Sequence, residues 1–186
     1  FIKVFQYSGL VCALASEEME KPVNLPENWP HGKYILLFDP LDGSSNTDVN
    51  MPLGAIFSVL RHEGKDGLPS ESEIIHKGTD QVASGYVMFG SSTMLVFTSG
   101  RGVNGFTLDP GIGEYLLTHE NIRIPEKGKV YCTNEGNYYK WTEGTRKYLD
   151  YLRASDKATG RPYSSRYSGC LAADVHRILL GGGIYL

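Results

Sequence analysis

Residues 38–46 read FDPLDGSSN and place two carboxylates, Asp39 and Asp42, three residues apart. Gly43, two serines and an asparagine follow at once. Two carboxylates held about 4 Å apart repel each other by about 4 kcal/mol at an effective dielectric of 20, so a positive group should offset them. A simple turn explains Gly43 but not the pair of acids. A calcium-binding loop is excluded, because Leu41 stands where that loop needs Asp or Asn.

A second acidic pair, Glu17 and Glu18, follows the apolar run LVCALAS, much as Asp39 ends the apolar run KYILLFD. If these two runs are neighbouring strands, four carboxylates meet at one edge of a sheet. Carboxylate oxygens are ligands that suit Mg²⁺ or Mn²⁺ and not Zn²⁺. Taken alone, Glu17 and Glu18 are more typical of a solvated acidic segment. Together with the two aspartates they favour a metal site.

The residues after Asp42 have the chemistry of a phosphate site. Gly43, Ser44 and Ser45 would present successive backbone N–H groups and hydroxyls, which suit a bound phosphate. Metal ions and a phosphate would then meet at one place. One ion would polarise the ester while another lowers the pKa of a bound water. The stretch therefore predicts metal-dependent transfer of a phosphoryl group to water.

The elements that position these residues are strands over the first two thirds of the chain. Short β-rich runs punctuated by glycine predict a sheet there. The runs are LVCALAS, KYILLFD, LGAIFSVLR, QVASGYVMFG, TMLVFTS, GFTLD and EYLLTH. The run KYILLFD is nearly all apolar, so we expect Asp39 at a strand end, where ligands commonly bind.

The last third of the chain has a helical pattern. Trp141–Leu152 predicts a helix with Thr142 as its cap, and the apolar residues of GCLAADVHRILLGG recur at helical spacing before a glycine run. The change of pattern follows NIRIPEKGKVY. We expect a mixed α+β or α/β architecture, with a sheet domain over residues 1–122 and the start of a smaller α/β domain over 123–186.

Composition narrows the class of protein. The 186 residues are 41% hydrophobic and 21% charged, which is typical of a globular chain. Its net charge of −3 and scattered Lys and Arg give no basic stripe, so we expect no nucleic-acid partner. No window approaches the roughly 18 apolar residues of a membrane helix, and we expect a cytoplasmic protein. Cys12, Cys132 and Cys170 form no C-x-x-C pair and predict buried free thiols.

Other patterns have structural interpretations. GRGVNG at 100–105 matches G-x-G-x-x-G, but the β-like run FTLDPG follows it where a dinucleotide site needs a helix, so we expect a hairpin turn. The glycines at 181–183 predict a helix end. His176 is expected to be structural, because the sequence shows no partner for it. The polar segment 61–80 predicts an exposed excursion between strands.

With these motifs in view, the sequence resembles the class I fructose-1,6-bisphosphatases, within the Mg²⁺-dependent, lithium-sensitive sugar and inositol phosphatases. The resemblance rests on ASEE, GKY, FDPLDGSSN, VASGYVMFGSSTMLVF, TLDPGIGE, NEGN, SRYSGCLAADVHR and GGGIYL, in the family's order over essentially the whole chain. It implies a layered sugar-phosphatase fold. It also implies hydrolysis of the 1-phosphate of fructose 1,6-bisphosphate in gluconeogenesis, by water activated by two or more Mg²⁺ ions, with Mn²⁺ as an alternative.

The resemblance also implies roles for individual residues. The implied metal ligands are Glu17, Asp39, Asp42 and the Leu41 carbonyl, and the implied catalytic residues are Glu17, Glu18 and Asp39, with Glu18 helping to activate the water. The implied substrate contacts are Asp42, Gly43, Ser44 and Ser45 near the 1-phosphate, Asn134, Arg166 and Tyr167 at the 6-phosphate, and Gly169, Cys170 and Leu171 along the sugar. Lys33, Tyr34 and Arg61 match part of the family's AMP inhibitor site.

Further implications concern assembly and completeness. Arg166 matches a residue that reaches into the neighbouring subunit, which implies a homo-oligomer arranged as a dimer of dimers. Asn137 stands where vertebrate members carry a phosphate-binding tyrosine, although NEGNY is similar to the bacterial form. The chain lacks the family's N-terminal mobile loop and a later metal-binding Glu. We therefore expect it to be part of a longer protein and to be inactive by itself.

Two alternative functions stay open. A related phosphatase acting on sedoheptulose 1,7-bisphosphate or on an inositol phosphate would carry the same metal motif. A catalytically inactive sugar-phosphate sensor would keep the phosphate pocket, although the presence of all four acids disfavours it. Changing Asp42→Asn is expected to abolish Mg²⁺-dependent turnover and to leave the fold intact.

Overall fold

A computed structural model describes residues 1–23, 25–64 and 69–186 of the chain. Its main feature is a seven-stranded sheet whose strands follow one another in chain order. The strands are β1 (Val11–Ser16), β2 (Tyr34–Asp42), β3 (Leu53–Arg61), β4 (Ala83–Phe89), β5 (Thr93–Thr98), β6 (Val103–Asp109) and β7 (Glu114–Ile122). β1 and β2 are parallel, and every later neighbouring pair is antiparallel.

A second, smaller sheet follows in the last third of the chain. It contains β8 (Val130–Cys132), β9 (Ser164–Ser165) and β10 (Ile184–Tyr185), with β8 in the middle and all strands parallel. The α-helices are α1 (Ile2–Phe5), α2 (Glu71–Ile74), α3 (Glu143–Arg153) and α4 (Leu171–Gly181). In the described residues, 3-10 helices span Ser44–Val49, Gly78–Asp80 and Glu135–Lys140.

The mixed α and β architecture predicted from the sequence is confirmed, and each of the seven predicted β-rich runs contains a strand. The predicted end of the second run is wrong. The run KYILLFD was expected to end at Asp39, but β2 continues to Asp42, with irregular pairing to β3 between the two aspartates. Pro40 explains the irregularity, because proline has no N–H to donate to the ladder.

The two faces of the large sheet pack against different elements. Leu14 and Phe38 point to one face and form a core with side chains of α1. Ile56 points to the other face and packs with residues of α4. Because successive strand residues alternate between faces, the neighbouring residues Ile56 and Phe57 belong to these opposite layers. Helix α4, which follows the predicted boundary at 122, therefore rests on the sheet that precedes it. The division at 122 itself stays a prediction.

Helix α3 stabilises the smaller sheet. Its side chains Leu149 and Leu152 are buried against Tyr131 of β8. The helix begins after Thr142, whose side-chain oxygen accepts a hydrogen bond from the Thr145 backbone N–H at 3.3 Å. This confirms the predicted cap and puts the first helical residue two positions later than the predicted start at Trp141. Tyr148, on the same helix, is exposed.

The structural interpretations of the minor motifs are also confirmed where the chain is described. Residues 99–102 connect antiparallel strands β5 and β6, with Gly100 and Gly102 at positive φ, as a hairpin turn requires. All three cysteines are buried and free. In the excursion 61–80, residues 65–68 lie outside the described part. Among the described helices, none is long and apolar enough to cross a membrane.

His176 has the partner that the sequence could not show. Its Nδ1 lies 2.9 Å from the Tyr86 hydroxyl, between α4 and β4. Burial, and to a smaller extent the nearby His119, lowers the pKa of His176. The imidazole is therefore held neutral in a partly buried hydrogen bond that joins the helix to the sheet.

Gly54 sets the distance between β3 and α4. A Cβ at this position would lie 2.5 Å from the Ala172 Cβ and 3.2 Å from Asp42 Oδ2. Since two carbon atoms cannot approach to 2.5 Å without displacement, only glycine permits this helix to rest so near the strand. The close approach also brings the start of α4 to the carboxylate of Asp42.

We predict that Gly54→Ala lowers the free energy of unfolding by roughly 1–3 kcal/mol, because the added methyl forces α4 away from β3. Gly90→Ala is the matched control: nothing lies within 4 Å of a Cβ built there, and its φ is not positive. Urea denaturation of the two variants and the wild type measures the difference. Equal losses in both variants would contradict the account of this contact.

Acidification should weaken the fold through His176. An unfolded histidine has a pKa near 6.5, and the folded value is lower. The unfolded state therefore binds more protons, and stability falls as the pH drops below about 6.5. We predict that the unfolding free energy of His176→Gln falls less between pH 7 and pH 5 than that of the wild type. His31→Gln, at an exposed position, should lose as much as the wild type. Urea titrations at both pH values test this, and equal slopes in wild type and His176→Gln would refute it.

Candidate functional site

The acidic residues singled out from the sequence surround one cavity of about 500 Å³. It lies where β1 and β2 end, and the lining is mostly polar. The lining residues are Glu17, Glu18, Met19, Glu20, Asp39, Leu41, Asp42, Gly43 and Ser44. Both acidic pairs and the start of the phosphate-type turn thus face the same space. All four predicted metal ligands line this cavity.

Parallel pairing of β1 with β2 brings the two acidic pairs together. Ser16 is aligned with Phe38, and the Glu17 backbone N–H donates to the Phe38 carbonyl at 3.2 Å. Because parallel strands end at the same edge of a sheet, the residue after β1 falls beside Asp39. LVCALAS and KYILLFD therefore form neighbouring strands, as the predicted metal site requires.

The stretch between the two aspartates is an irregular end of β2. Asp39 Oδ1 accepts a hydrogen bond from the Leu41 N–H at 3.0 Å, which holds this side chain along the loop. Leu41 is exposed, and Asp42 returns to the ladder opposite Gly54. Irregular pairing of this kind re-aims side chains beside functional sites. Here it puts Asp39 and Asp42 on the lining of the same cavity.

Asp42 is buried at the N-terminus of α4, where its carboxylate accepts three hydrogen bonds. Oδ1 accepts from the Leu171 N–H at 3.1 Å, and Oδ2 accepts from the Ala172 N–H at 2.6 Å and from the Cys170 thiol at 3.1 Å. The first N–H groups of a helix have no partner within the helix, and its positive end favours an anion. Asp42 therefore caps α4 from 129 residues away in sequence.

Cys170 takes part in this contact as a protonated thiol. Burial, with the Asp42 carboxylate as a smaller contribution, raises the pKa of Cys170 to about 12. The S–H group thus stays a donor at neutral pH. Its Cβ also packs under Gly43: a Cβ on Gly43 would come within 2.8 Å of it. The side chain of Cys170, predicted along the sugar, is turned toward Asp42.

The predicted phosphate-binding residues form a tight turn followed by one 3-10 helix. Gly43 has φ +80°, a left-handed conformation that favours glycine, and the helix Ser44–Val49 begins directly after it. Ser44 and Ser45 are exposed. The N–H groups at the start of such a helix lack helical partners and suit an anion. Ser45 does not itself line the cavity of the acids.

The predicted 6-phosphate residues lie at the edge of the smaller sheet. Asn134 follows β8 and Arg166 follows β9, and these strands are parallel, so both residues come after strands that end at one edge. Asn134 caps the 3-10 helix Glu135–Lys140 by accepting from the Gly136 N–H. Tyr167 is exposed. None of the three lines the cavity of the acids.

Lys33, Tyr34 and Arg61 come together at the opposite end of β2. Tyr34 pairs with Arg61 across the β2–β3 ladder, and the His62 N–H donates to the Lys33 carbonyl at 2.8 Å. At about 3.3 Å per residue, the five residues from Tyr34 to Asp39 put them roughly 17 Å from the nearest acids. The set predicted from the AMP resemblance is thus contiguous and remote from the candidate site.

The donor chemistry of the cavity fits a hard divalent cation. Glu17, Asp39 and the Leu41 carbonyl offer oxygen atoms, which Mg²⁺ prefers. Asp42 has about four acceptor positions, of which three are filled by α4 and Cys170, so one stays available. Within the described ranges, no group of three or more Asp, Glu, His or Cys side chains lies close enough together to hold an ion.

Sequence reasoning missed two residues that connect the site. Asn46 is buried and donates to the carbonyls of Pro52 and Ser168, both at 2.9 Å. Asp174 is buried in α4 and accepts from the Ser168 N–H at 3.0 Å. The available signal for Asp174 was an acid among the apolar residues of ADVHRILL. For Asn46 the signal was its place directly after the serines, which alone does not reveal the partner.

Comparison with known families gives a match over nearly the whole chain. The family model described as "Fructose-1-6-bisphosphatase, N-terminal domain" matches residues 1–120, and "Fructose-1-6-bisphosphatase, C-terminal domain" matches residues 124–186.

Curated relatives and solved structures agree with the family match. "Fructose-1,6-bisphosphatase class 1" of Trichormus variabilis is 52% identical over 186 residues, which are 100% of this chain and 52% of that protein. The protein of the same name from Synechocystis is 51% identical, with the same coverage. The crystal structure of Leishmania major fructose-1,6-bisphosphatase in holo form has a TM-score of 0.86 and 45% identity, covering 97% of this chain and 57% of that one. The chain spans about half the length of the curated relatives it matches.

The capping contacts of Asp42 change the result expected for Asp42→Asn. An amide can accept on one side only, so its NH₂ group would face a backbone N–H of α4. We predict a loss of roughly 1–3 kcal/mol in unfolding free energy, the cost of a buried unsatisfied donor. Asp48→Asn, at an exposed position of the neighbouring 3-10 helix, is the matched control. Chemical denaturation is the measurement, and a variant as stable as Asp48→Asn would contradict the capping role.

Proposed function

The chain belongs to the fructose-1,6-bisphosphatase family, and on that basis we propose that the whole protein hydrolyses the 1-phosphate of fructose 1,6-bisphosphate. The products are fructose 6-phosphate and inorganic phosphate, as in gluconeogenesis. The observation that carries the proposal is the cavity that joins five carboxylates to the turn at Gly43 and Ser44 in a chain that matches the family over its whole length.

Two or more Mg²⁺ ions, or Mn²⁺, would be held by Glu17, Asp39, the Leu41 carbonyl and Asp42. When bound, such ions polarise a phosphate ester and lower the pKa of a bound water. Asp42 would serve with its remaining acceptor position, since α4 and Cys170 fix the rest of its carboxylate. That arrangement orients Asp42 before any ion arrives.

The protein's own groups would bind and orient the ester. Backbone N–H groups of Gly43, Ser44 and Ser45 would donate hydrogen bonds to the oxygens of the 1-phosphate, at a turn already fixed by the positive φ of Gly43. Glu18, exposed at the rim of the cavity, would take a proton from the attacking water. Glu17 and Asp39 would complete the catalytic set.

The remaining predicted contacts would bind the rest of the substrate. Asn134, Arg166 and Tyr167 would hold the 6-phosphate, for which the planar guanidinium of Arg166 suits a bidentate contact. The segment from Gly169 to Leu171 would lie along the sugar. Since the Leu171 N–H also binds Asp42, this segment meets the acid cavity directly.

Three further features belong to the same proposal. The whole protein would be a cytoplasmic homo-oligomer, a dimer of dimers, with Arg166 reaching the neighbouring subunit's site. Lys33, Tyr34 and Arg61 would contribute to an AMP inhibitor site at the far end of β2. The two domains would divide at residues 122 and 123, with the active site between them.

A substrate panel tests the proposed reaction. With the whole protein and Mg²⁺, we predict that phosphate release from fructose 1,6-bisphosphate exceeds release from sedoheptulose 1,7-bisphosphate and from inositol 1-phosphate in kcat/KM. A preference for either of the last two would establish the related phosphatase instead. No release from any of them, together with tight binding of fructose 6-phosphate, would establish the inactive sensor.

Removal of divalent metal should stop turnover by the whole protein. We predict that EDTA abolishes phosphate release and that excess Mg²⁺ restores it. Asp39→Asn should lower kcat by at least about 10²-fold, because it removes the negative charge and one oxygen of a proposed metal ligand. Asp48→Asn, which removes an exposed carboxylate outside the cavity, is the matched control. Full activity of Asp39→Asn, or activity that survives EDTA, would rule out the metal mechanism.

A further inference from the structure

Asn46, the last residue of FDPLDGSSN, connects two parts of the chain that are far apart in sequence. Its Nδ2 donates to the Pro52 carbonyl at 2.9 Å and to the Ser168 carbonyl at 2.9 Å. Both partners are carbonyl oxygens, which only accept, so the amide nitrogen must face them. The residue is only 8% exposed, and its two donor hydrogens are both used. The side chain is therefore held in one orientation.

On one side, Asn46 fixes the turn that carries the serines. Its own N–H donates to the Gly43 carbonyl at 2.8 Å, and its carbonyl accepts from the Met51 N–H at 3.1 Å. The contact with Pro52 ties this turn to the residue that precedes β3. Main chain and side chain of Asn46 together set the position of Ser44 and Ser45 against the sheet.

On the other side, Asn46 meets the segment that leads into α4. Ser168 is held from behind by Asp174, whose buried carboxylate accepts from the Ser168 N–H. The Ser168 hydroxyl accepts from the Cys170 N–H at 3.2 Å, which fixes the turn around Gly169. A Cβ on Gly169 would lie 3.3 Å from Asn46 Oδ1, so the two segments are packed against each other.

We propose that Asn46 is a positioning residue that fixes the phosphate turn at 43–45 relative to the segment 166–171. In the proposed function, the turn binds the 1-phosphate and Tyr167 of the same chain binds the 6-phosphate, while Arg166 reaches the neighbouring subunit's site. One side chain then sets the separation at which the two ends of the same substrate are held. Binding of the 6-phosphate thereby orients the 1-phosphate for attack. The inference rests on the proposed function and adds a residue that touches neither phosphate.

The positioning role of Asn46 predicts a kinetic effect that a purely stabilising role would not produce. If Asn46 only stabilised the fold, its loss would lower the melting temperature and leave the preference for a second phosphate unchanged. If Asn46 sets the separation, its loss should lower that preference, since a displacement of about 1 Å can cost on the order of 10²-fold in rate. The informative quantity is the ratio of kcat/KM for fructose 1,6-bisphosphate to kcat/KM for fructose 1-phosphate.

The experiment uses the whole protein with Mg²⁺ and three substitutions. Asn46→Asp keeps the shape and removes both N–H donors, leaving a carboxylate against two carbonyl oxygens. Asn46→Ala removes the donors without adding charge. Asn50→Asp makes the same change of charge at an exposed position four residues away, and is the matched control. Melting temperatures are measured for every variant, and the two substrates are compared below the lowest of them.

We expect both Asn46 substitutions to lower the substrate ratio at least about tenfold, with most of the loss in fructose 1,6-bisphosphate turnover, and Asn50→Asp to retain it. An unchanged ratio in folded Asn46→Ala, with normal wild-type turnover, would overturn the positioning role and leave the proposed function standing. If Asn46→Asp does not fold, Asn46→Ala decides. If the wild type hydrolyses neither substrate, the proposed function and the inference both fail.

Discussion

The contact between Asp42 and the N-terminus of α4 is the interaction on which the rest of the site depends. One carboxylate satisfies two backbone N–H groups that the helix leaves unpaired, together with the Cys170 thiol. The helix comes from the last part of the chain, while the carboxylate ends a strand of the first sheet. The same residue that lines the acidic cavity therefore holds the two parts of the chain together. Gly54 makes this possible, since no side chain intervenes between β3 and Ala172.

Two backbone constraints then determine which residues line the cavity. Parallel pairing of β1 and β2 ends both strands at one edge and sets Glu17 beside Asp39. Pro40 interrupts the ladder of β2, so that Asp39, Leu41 and Asp42 follow an irregular path along the cavity. Gly43 then turns the chain into a 3-10 helix through a left-handed conformation. Acids and the N–H groups at the start of a helix meet because a strand ends irregularly and a short helix begins at the next residue.

The sequence was most informative where periodicity or a local motif determines the structure. Alternation and glycine spacing located the seven strands, and the acid pattern identified residues that do line one cavity. The end of β2 was misplaced, because apolar character stops at Asp39 while hydrogen bonding resumes at Asp42. The roles of Asn46, Asp174 and Cys170 could not be predicted, since each depends on a contact between segments that pattern and spacing do not relate. The catalytic and substrate-binding roles still come from the family resemblance, and the geometry supplies only the shared cavity.

The proposed function requires that this cavity hold divalent metal between Asp39 and the turn at 43–45. Anomalous X-ray diffraction from crystals of the whole protein grown with Mn²⁺ and fructose 6-phosphate tests it most directly. We predict an anomalous peak at coordinating distance, about 2.1 Å for Mg²⁺-type geometry, from oxygens of Asp39 and the Leu41 carbonyl. Full-occupancy Mn²⁺ bound elsewhere, with this cavity empty of anomalous signal, would contradict it.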